Sequence, residues 1–191
     1  VPDWRLQLLW AALAGCGSAL LLSVTTYISQ NIAAVPLLWI LPLSLYLLTY
    51  IICFEGHNWY RRAFFLRLLV LALATMAYAL APSRGNLPPY VLVPLFCGGL
   101  FACCMVCHGE LAKLKPHPTY LTSFYLLVSF GAAMGAVFVA FVAPHVFTGY
   151  YELHIALGFC GVLIQVALQR DRSVALLFSR HAYVLGFVLV V

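Results

Sequence analysis

Long apolar runs constrain the fold of this chain more than any other feature. About 20 apolar residues are needed for a helix to cross the hydrocarbon core of a membrane. The runs are apolar on all sides, whereas strands of a membrane barrel alternate. The sequence therefore predicts an all-α, polytopic transmembrane helix bundle that forms one domain over residues 1–191. Six full spans and a truncated seventh are predicted at residues 6–24, 35–54, 65–81, 90–108, 120–143, 153–169 and 181–191.

The composition supports lipid as the solvent for most of the chain. Charged residues make up 8% of the sequence and hydrophobic residues 65%, whereas a soluble domain carries about 25% charged residues. The chain begins at Val1 without an initiator Met and stops inside the seventh apolar run. We therefore expect it to be a segment of a longer protein.

The basic residues predict the orientation of the bundle. If alternate connections lie on opposite sides, nine of the ten Lys and Arg residues fall on one side and only Arg84 on the other. The positive-inside rule places the richer side, and with it the N-terminus, in the cytoplasm. The nine are Arg5, Arg61, Arg62, Arg67, Lys113, Lys115, Arg170, Arg172 and Arg180.

The stretch CCMVCHGE at residues 103–110 contains a C-x-x-C-H pentapeptide, formed by Cys104, Cys107 and His108. This pattern is the attachment signature of c-type haem. However, the predicted topology puts it at the cytoplasmic end of the fourth span, opposite the side on which covalent haem is assembled. The apolar residues upstream also favour a spanning helix. We therefore predict no haem and no other cofactor.

The same stretch is also a candidate metal site. Zinc prefers four ligands, commonly supplied as two separated pairs, and the remaining cysteines occur singly in the predicted spans. We therefore predict no metal site and interpret the cysteines as small core residues. His108 and Glu110 form a candidate cytoplasmic polar pair that could act in acid–base chemistry, although such groups at a helix end commonly serve as caps.

Two further features suggest sites. Residues 23–31 form an uncharged polar stretch that we interpret as an outer turn. Its side chains could satisfy non-helical backbone, or Tyr27, Gln30 and Asn31 could line a small-molecule cavity. Gly131 and Gly135 form a G-x-x-x-G face on the fifth span, which allows another backbone to approach closely.

Two long strings carry a family resemblance. Residues 23–54 read SVTTYISQNIAAVPLLWILPLSLYLLTYIICF, and residues 106–144 read VCHGELAKLKPHPTYLTSFYLLVSFGAAMGAVFVAFVAP. Both resemble the membrane region of bacterial fused major-facilitator/spermidine-synthase-like proteins, over about two thirds of the chain. The resemblance implies a multi-pass domain of the bacterial inner membrane, fused to an aminopropyltransferase-like domain further along the chain. It carries no catalytic residue into this segment.

Three functions are compatible with these observations. The first is an inner-membrane domain that anchors a partner domain or moves small substrates for it, with a polyamine-like molecule as the expected ligand. The second is a structural accessory subunit of a larger membrane complex, and the third is a haem-binding redox protein. The expected partners are the lipid bilayer and other transmembrane helices or subunits, and no nucleic acid is expected.

Overall fold

The computed structural model describes residues 2–31, 37–55, 59–81, 88–146 and 151–169. Within these ranges the chain forms helices and no strands. Leu121–Val137 continues directly into a π-helical segment, Phe138–Val142, and a short final helix. The α-helices are α1 (Trp4–Asn31), α2 (Ile40–Glu55), α3 (Arg62–Leu80), α4 (Pro89–Lys113), α5 (Leu121–Val137), α6 (Ala143–Val146) and α7 (Tyr151–Gln169).

Helix length and composition indicate a multi-pass membrane protein. Five helical segments in the described ranges are long and apolar enough to cross a bilayer, with α5 and α6 forming parts of one segment. Helix α2 is equally apolar but has only 16 residues, fewer than the roughly 20 that a perpendicular span needs. The all-helical prediction is confirmed for the described ranges. The predicted seventh span at 181–191 lies outside them.

Helices α1 and α4 form the centre of the bundle. Helix α1 packs against α5, α4, α7 and α2, and α4 packs against α2, α3, α1 and α7. Their inward side chains are therefore fully buried, including Trp10 and Leu13 on α1 and Phe96 and Leu100 on α4. In contrast, α5 lies at the edge of the bundle and packs mainly on α1.

The helices alternate in direction, which brings several helix ends together. Trp10 near the start of α1 packs edge-on against Phe124 near the start of α5, with ring centroids 5.0 Å apart. Phe54 at the end of α2 lies 6.5 Å from the same ring, and Arg62 at the start of α3 contacts Glu110 near the end of α4. The Lys and Arg residues of the described ranges lie at this end, which we call the basic end: Arg5, Arg61, Arg62, Arg67, Lys113 and Lys115.

Helix α1 is longer than the sequence indicated. We predicted a span over 6–24 and an outer polar turn over 23–31, whereas the helix continues through Asn31. The Thr25 hydroxyl donates a hydrogen bond of 2.7 Å to the Leu21 carbonyl, one turn earlier in the same helix. A hydroxyl-rich sequence can therefore stay helical, because such side chains bond to the backbone of their own helix.

Two other boundaries differ from the prediction. Helix α4 extends to Lys113 instead of ending near 108, so that residues 109–113 are helical and not part of a linker. Helix α2 begins at Ile40 instead of near 35, which places Pro42 in its first turn. Proline is tolerated there because the first N–H groups of a helix have no carbonyl partner.

The glycine face of α5 lies against α1. A Cβ atom added to Gly131 would collide with the backbone of Ala11, and one added to Gly135 would collide with the backbone of Gly15. A Cβ added to Gly15 would in turn lie 2.8 Å from the Gly131 carbonyl oxygen. The two helices thus approach through their backbones, the close packing that small residues permit.

Candidate functional site

A buried ion pair joins the beginning of α3 to the end of α4. The Arg62 guanidinium donates two hydrogen bonds of 2.7 Å to Glu110, from Nε to Oε1 and from Nη2 to Oε2. The side chains are only 11% and 4% exposed. A two-bond contact of this kind is the strongest arrangement available to arginine and a carboxylate, and it fixes the orientation of both groups.

Tyr60 completes this cluster from the segment before α3. Its hydroxyl donates a hydrogen bond of 2.9 Å to Glu110 Oε1, and its ring lies so close to Gly109 that a Cβ there would overlap it. The Lys113 ammonium lies 5.1 Å from the ring centroid, within the range of a cation–π contact. Burial and the neighbouring Glu110 carboxylate raise the pKa of the Tyr60 hydroxyl. We call Tyr60, Arg62 and Glu110 the carboxylate cluster.

His108 makes a separate polar contact with α2. The Thr49 hydroxyl lies 2.7 Å from the Tyr46 carbonyl oxygen, and the same hydroxyl lies 3.0 Å from His108 Nδ1. Thr49 and Nδ1 therefore share one hydrogen bond, in which Thr49 donates or accepts according to the imidazole tautomer. In a neutral imidazole Nε2 takes the complementary donor or acceptor role.

Apolar and aromatic groups surround the His108 ring. The rings of Tyr46 and Tyr50 pack edge-on against it, with centroid separations of 4.9 and 5.0 Å. A Cβ added to Gly17 of α1 would lie 3.2 Å from Nε2. His108 is buried, and Nε2 has no hydrogen-bond partner among the described residues. An ionisable side chain in such a place within a span is a candidate functional group.

The structure separates His108 from Glu110. We considered them as one acid–base pair, but His108 bonds to α2 whereas Glu110 bonds to Tyr60 and Arg62. Residues two apart on a helix do not face each other, which accounts for the different partners. Helix α4 continues past Glu110 and buries its carboxylate.

The proposed cavity residues lie at the opposite end of α1 from the basic end. Tyr27 is partly buried, and its ring lies 4.6 Å from that of Phe96 on α4. Gln30, one turn later, is exposed. Asn31 is the last residue of α1, and its side chain lies outside the described residues. Their binding role stays a prediction.

The cysteines of the pentapeptide lie inside the bundle. Cys104, Cys107 and His108 are all buried on α4, and the imidazole nitrogen Nδ1 is bonded to Thr49. The absence of haem stays a prediction. Sequence reasoning missed a different arrangement, in which Cys107 meets Cys16 of α1 and Cys160 of α7. No sequence signal pointed to it, because each of these helices contributes one cysteine to the group.

Comparison of the chain with protein families, with curated proteins and with solved structures gives no match.

Proposed function

We propose that this chain is the multi-pass membrane domain of a bacterial inner-membrane protein and that it anchors a partner domain at its basic end. The observation that carries the proposal is the gathering of the described Lys and Arg residues at that one end of the bundle. By the positive-inside rule, that end and the N-terminus face the cytoplasm. The resemblance to spermidine-synthase-like fusion proteins suggests the kind of partner, a soluble aminopropyltransferase-like domain.

The carboxylate cluster supports an anchoring role. It connects α4 to the start of α3 through two hydrogen bonds from Arg62 and to the segment before α3 through one from Tyr60. Buried and hydrogen-bonded, it gives the basic end a fixed arrangement of helix ends on which a second domain could rest. Exposed Arg61 and Lys115 flank this arrangement and are available to acidic groups of a partner.

A second role, movement of a small substrate, is favoured by His108. A buried polar nitrogen without a hydrogen-bond partner costs about 1–3 kcal/mol, and Nε2 is such an atom. A polyamine-like amine would supply the missing hydrogen bond. Tyr27 and Gln30 at the far end of α1 would then be the first contacts of that substrate.

The alternative function of an accessory subunit needs a different surface from the one we predicted. Gly131 and Gly135 face α1 of the same chain, so they are not open to another subunit. The exposed outer face of α5, which includes Leu126, Phe130 and Met134, would have to serve instead.

Site-directed labelling tests the orientation on which the anchoring proposal depends. Lys113→Cys and Gln30→Cys would be labelled separately with a membrane-impermeant maleimide, in intact cells and in inverted vesicles. All seven native cysteines are buried, so the unsubstituted chain is the background control. We expect Gln30→Cys to react in intact cells and Lys113→Cys only in inverted vesicles. The reverse pattern would refute the proposal.

Uptake experiments test the second role. Vesicles that contain the chain would be assayed for accumulation of radiolabelled putrescine, with His108→Gln as the variant and protein-free vesicles as the control. Glutamine keeps a side chain able to hydrogen-bond Thr49 but removes the imidazole. Uptake that exceeds the control and falls in the variant supports substrate movement. Uptake equal to the control leaves anchoring as the function.

A further inference from the structure

Three thiols from three helices meet near the centre of the bundle. Cys16 lies midway along α1, Cys160 midway along α7, and Cys107 in the second half of α4. Their Sγ atoms all lie within 4.8 Å of one another, and those of Cys107 and Cys160 are 4.0 Å apart. Each of the three residues has no exposed surface. We call them the thiol cluster.

We propose that the thiol cluster binds a soft, thiophilic monovalent metal ion, Cu(I), through three sulfur ligands. Thiolates select soft ions such as Cu(I) over hard cations. In a planar three-coordinate site with metal–sulfur bonds of about 2.3 Å, the sulfur atoms are about 4.0 Å apart. The Cys107–Cys160 separation already has this value, and the other sulfur atoms need move by less than about 1 Å to reach it.

The packing of the bundle holds the ligands in place. Helix α1 contacts both α4 and α7, and α4 contacts α7, so the backbones that carry the three cysteines form one packed unit. The three cysteines belong to the buried apolar core, together with Leu20, Leu157 and Ile164, which lie about one helix turn from Cys16 or Cys160. Such surroundings exclude water and oxidants, which favours the Cu(I) state over Cu(II).

Two other uses of the thiols fit the geometry less well. A disulfide joins only two sulfur atoms, whereas three thiols meet here. Structural zinc takes four ligands in a tetrahedron. Only three sulfur atoms of the described residues lie within 4.8 Å of one another, and the thiol of Cys103, which contacts Cys160, is not part of that group. Three ligands match the lower coordination number that Cu(I) accepts.

Binding would exchange protons and no electrons. Two of the ligating thiols give up their protons to solvent as the ion enters, because thiolate is the strong ligand form of cysteine, and the third binds as a thiol. One Cu(I) ion and two thiolates give the site a net charge of −1. The metal must arrive already reduced, so a reductant that is not itself a thiol, such as ascorbate, has to be present during loading.

Metal competition tests the proposal. The full chain in mild detergent, kept reduced and free of oxygen, would be loaded with Cu(I) and challenged with the chelator bicinchoninate. We expect about one Cu(I) retained per chain. Replacing any ligand, as in Cys16→Ser, Cys107→Ser or Cys160→Ser, should lower the affinity at least about tenfold. Cys97→Ser is the matched control, because Cys97 is also buried on α4 but belongs to no such group.

X-ray absorption of the unsubstituted, copper-loaded chain provides a result that does not depend on folding of the variants. Three sulfur neighbours at about 2.3 Å would support the site. The proposal is overturned if the chelator removes all the copper, if Cys97→Ser loses as much copper as the ligand variants, or if absorption shows oxygen and nitrogen neighbours. Each variant would first be checked for a single monodisperse peak in gel filtration.

Discussion

Loss of Arg62 should destabilise the bundle by several kcal/mol. In Arg62→Met, Glu110 keeps only the Tyr60 hydrogen bond and loses two charge-assisted bonds of 2.7 Å. Each such bond contributes about 1.5–3 kcal/mol. The Glu110 side chain is only 4% exposed, so solvent offers little compensation. Breaking one side of a buried pair costs about 3–5 kcal/mol in general, and we expect the free energy of unfolding to fall by that amount.

The purified chain would be unfolded in mixed micelles by increasing the fraction of a denaturing detergent. Far-ultraviolet circular dichroism would measure the loss of helix at each step, which gives the free energy of unfolding. Arg67→Met is the matched control, because Arg67 is exposed on the same helix. Its change should stay within about 0.5 kcal/mol. The double variant Arg62→Met/Glu110→Leu removes both charges, so it should recover at least about 2 kcal/mol of the loss. A loss below about 1 kcal/mol in Arg62→Met, or a double variant less stable than Arg62→Met, would refute the reasoning.

Two other changes test the packing around the same helices. Because the folded state holds the Tyr60 proton more tightly than the unfolded state, stability should fall as pH rises above about 10, by up to about 1.4 kcal/mol per pH unit. Tyr60→Phe should lack this contribution and lose about 1 kcal/mol at neutral pH; equal alkaline losses in both proteins would contradict the assignment. Gly131→Ala should cost about 1–3 kcal/mol, because the new methyl group meets the rigid backbone of Ala11. Gly98→Ala has no atom within 4 Å and should be neutral or slightly stabilising; equal losses in the two glycine variants would show that the close approach does not matter.

The helical architecture could be predicted because the length of each apolar run is visible in the sequence itself, without knowledge of which helices pack together. The positions of α3 and α7 follow from it to within a few residues. The ends of α1 and α4 could not be predicted in the same way. There polar residues continue the helix, since Thr25 bonds to its own backbone and Glu110 finds a cation on a neighbouring helix. A hydropathy profile places the end of the span at such residues, because they are polar. Their hydrogen bonds nevertheless allow the helix to continue.

The sites were less accessible to sequence reasoning because they depend on which helices are neighbours. Cys16 and Cys160 are far apart in the chain and each stands alone in its helix, so only the packing of α1 against α7 brings them together. Arg62 and Glu110 were both noticed in the sequence, one for topology and the other as part of a polar pair. Their contact required knowing that the start of α3 lies beside the end of α4.

One turn of α4 explains why the CHGE sequence carries so many different residue types. Successive residues on a helix point about 100° apart, so residues 107–110 face four directions from a helix that lies in the centre of the bundle. Cys107 meets the thiols of α1 and α7, and His108 meets Thr49 of α2. Gly109 gives room to the Tyr60 ring, and Glu110 binds Arg62 of α3. The four consecutive residues therefore make four separate contacts, with α1 and α7, with α2, with the Tyr60 ring and with α3.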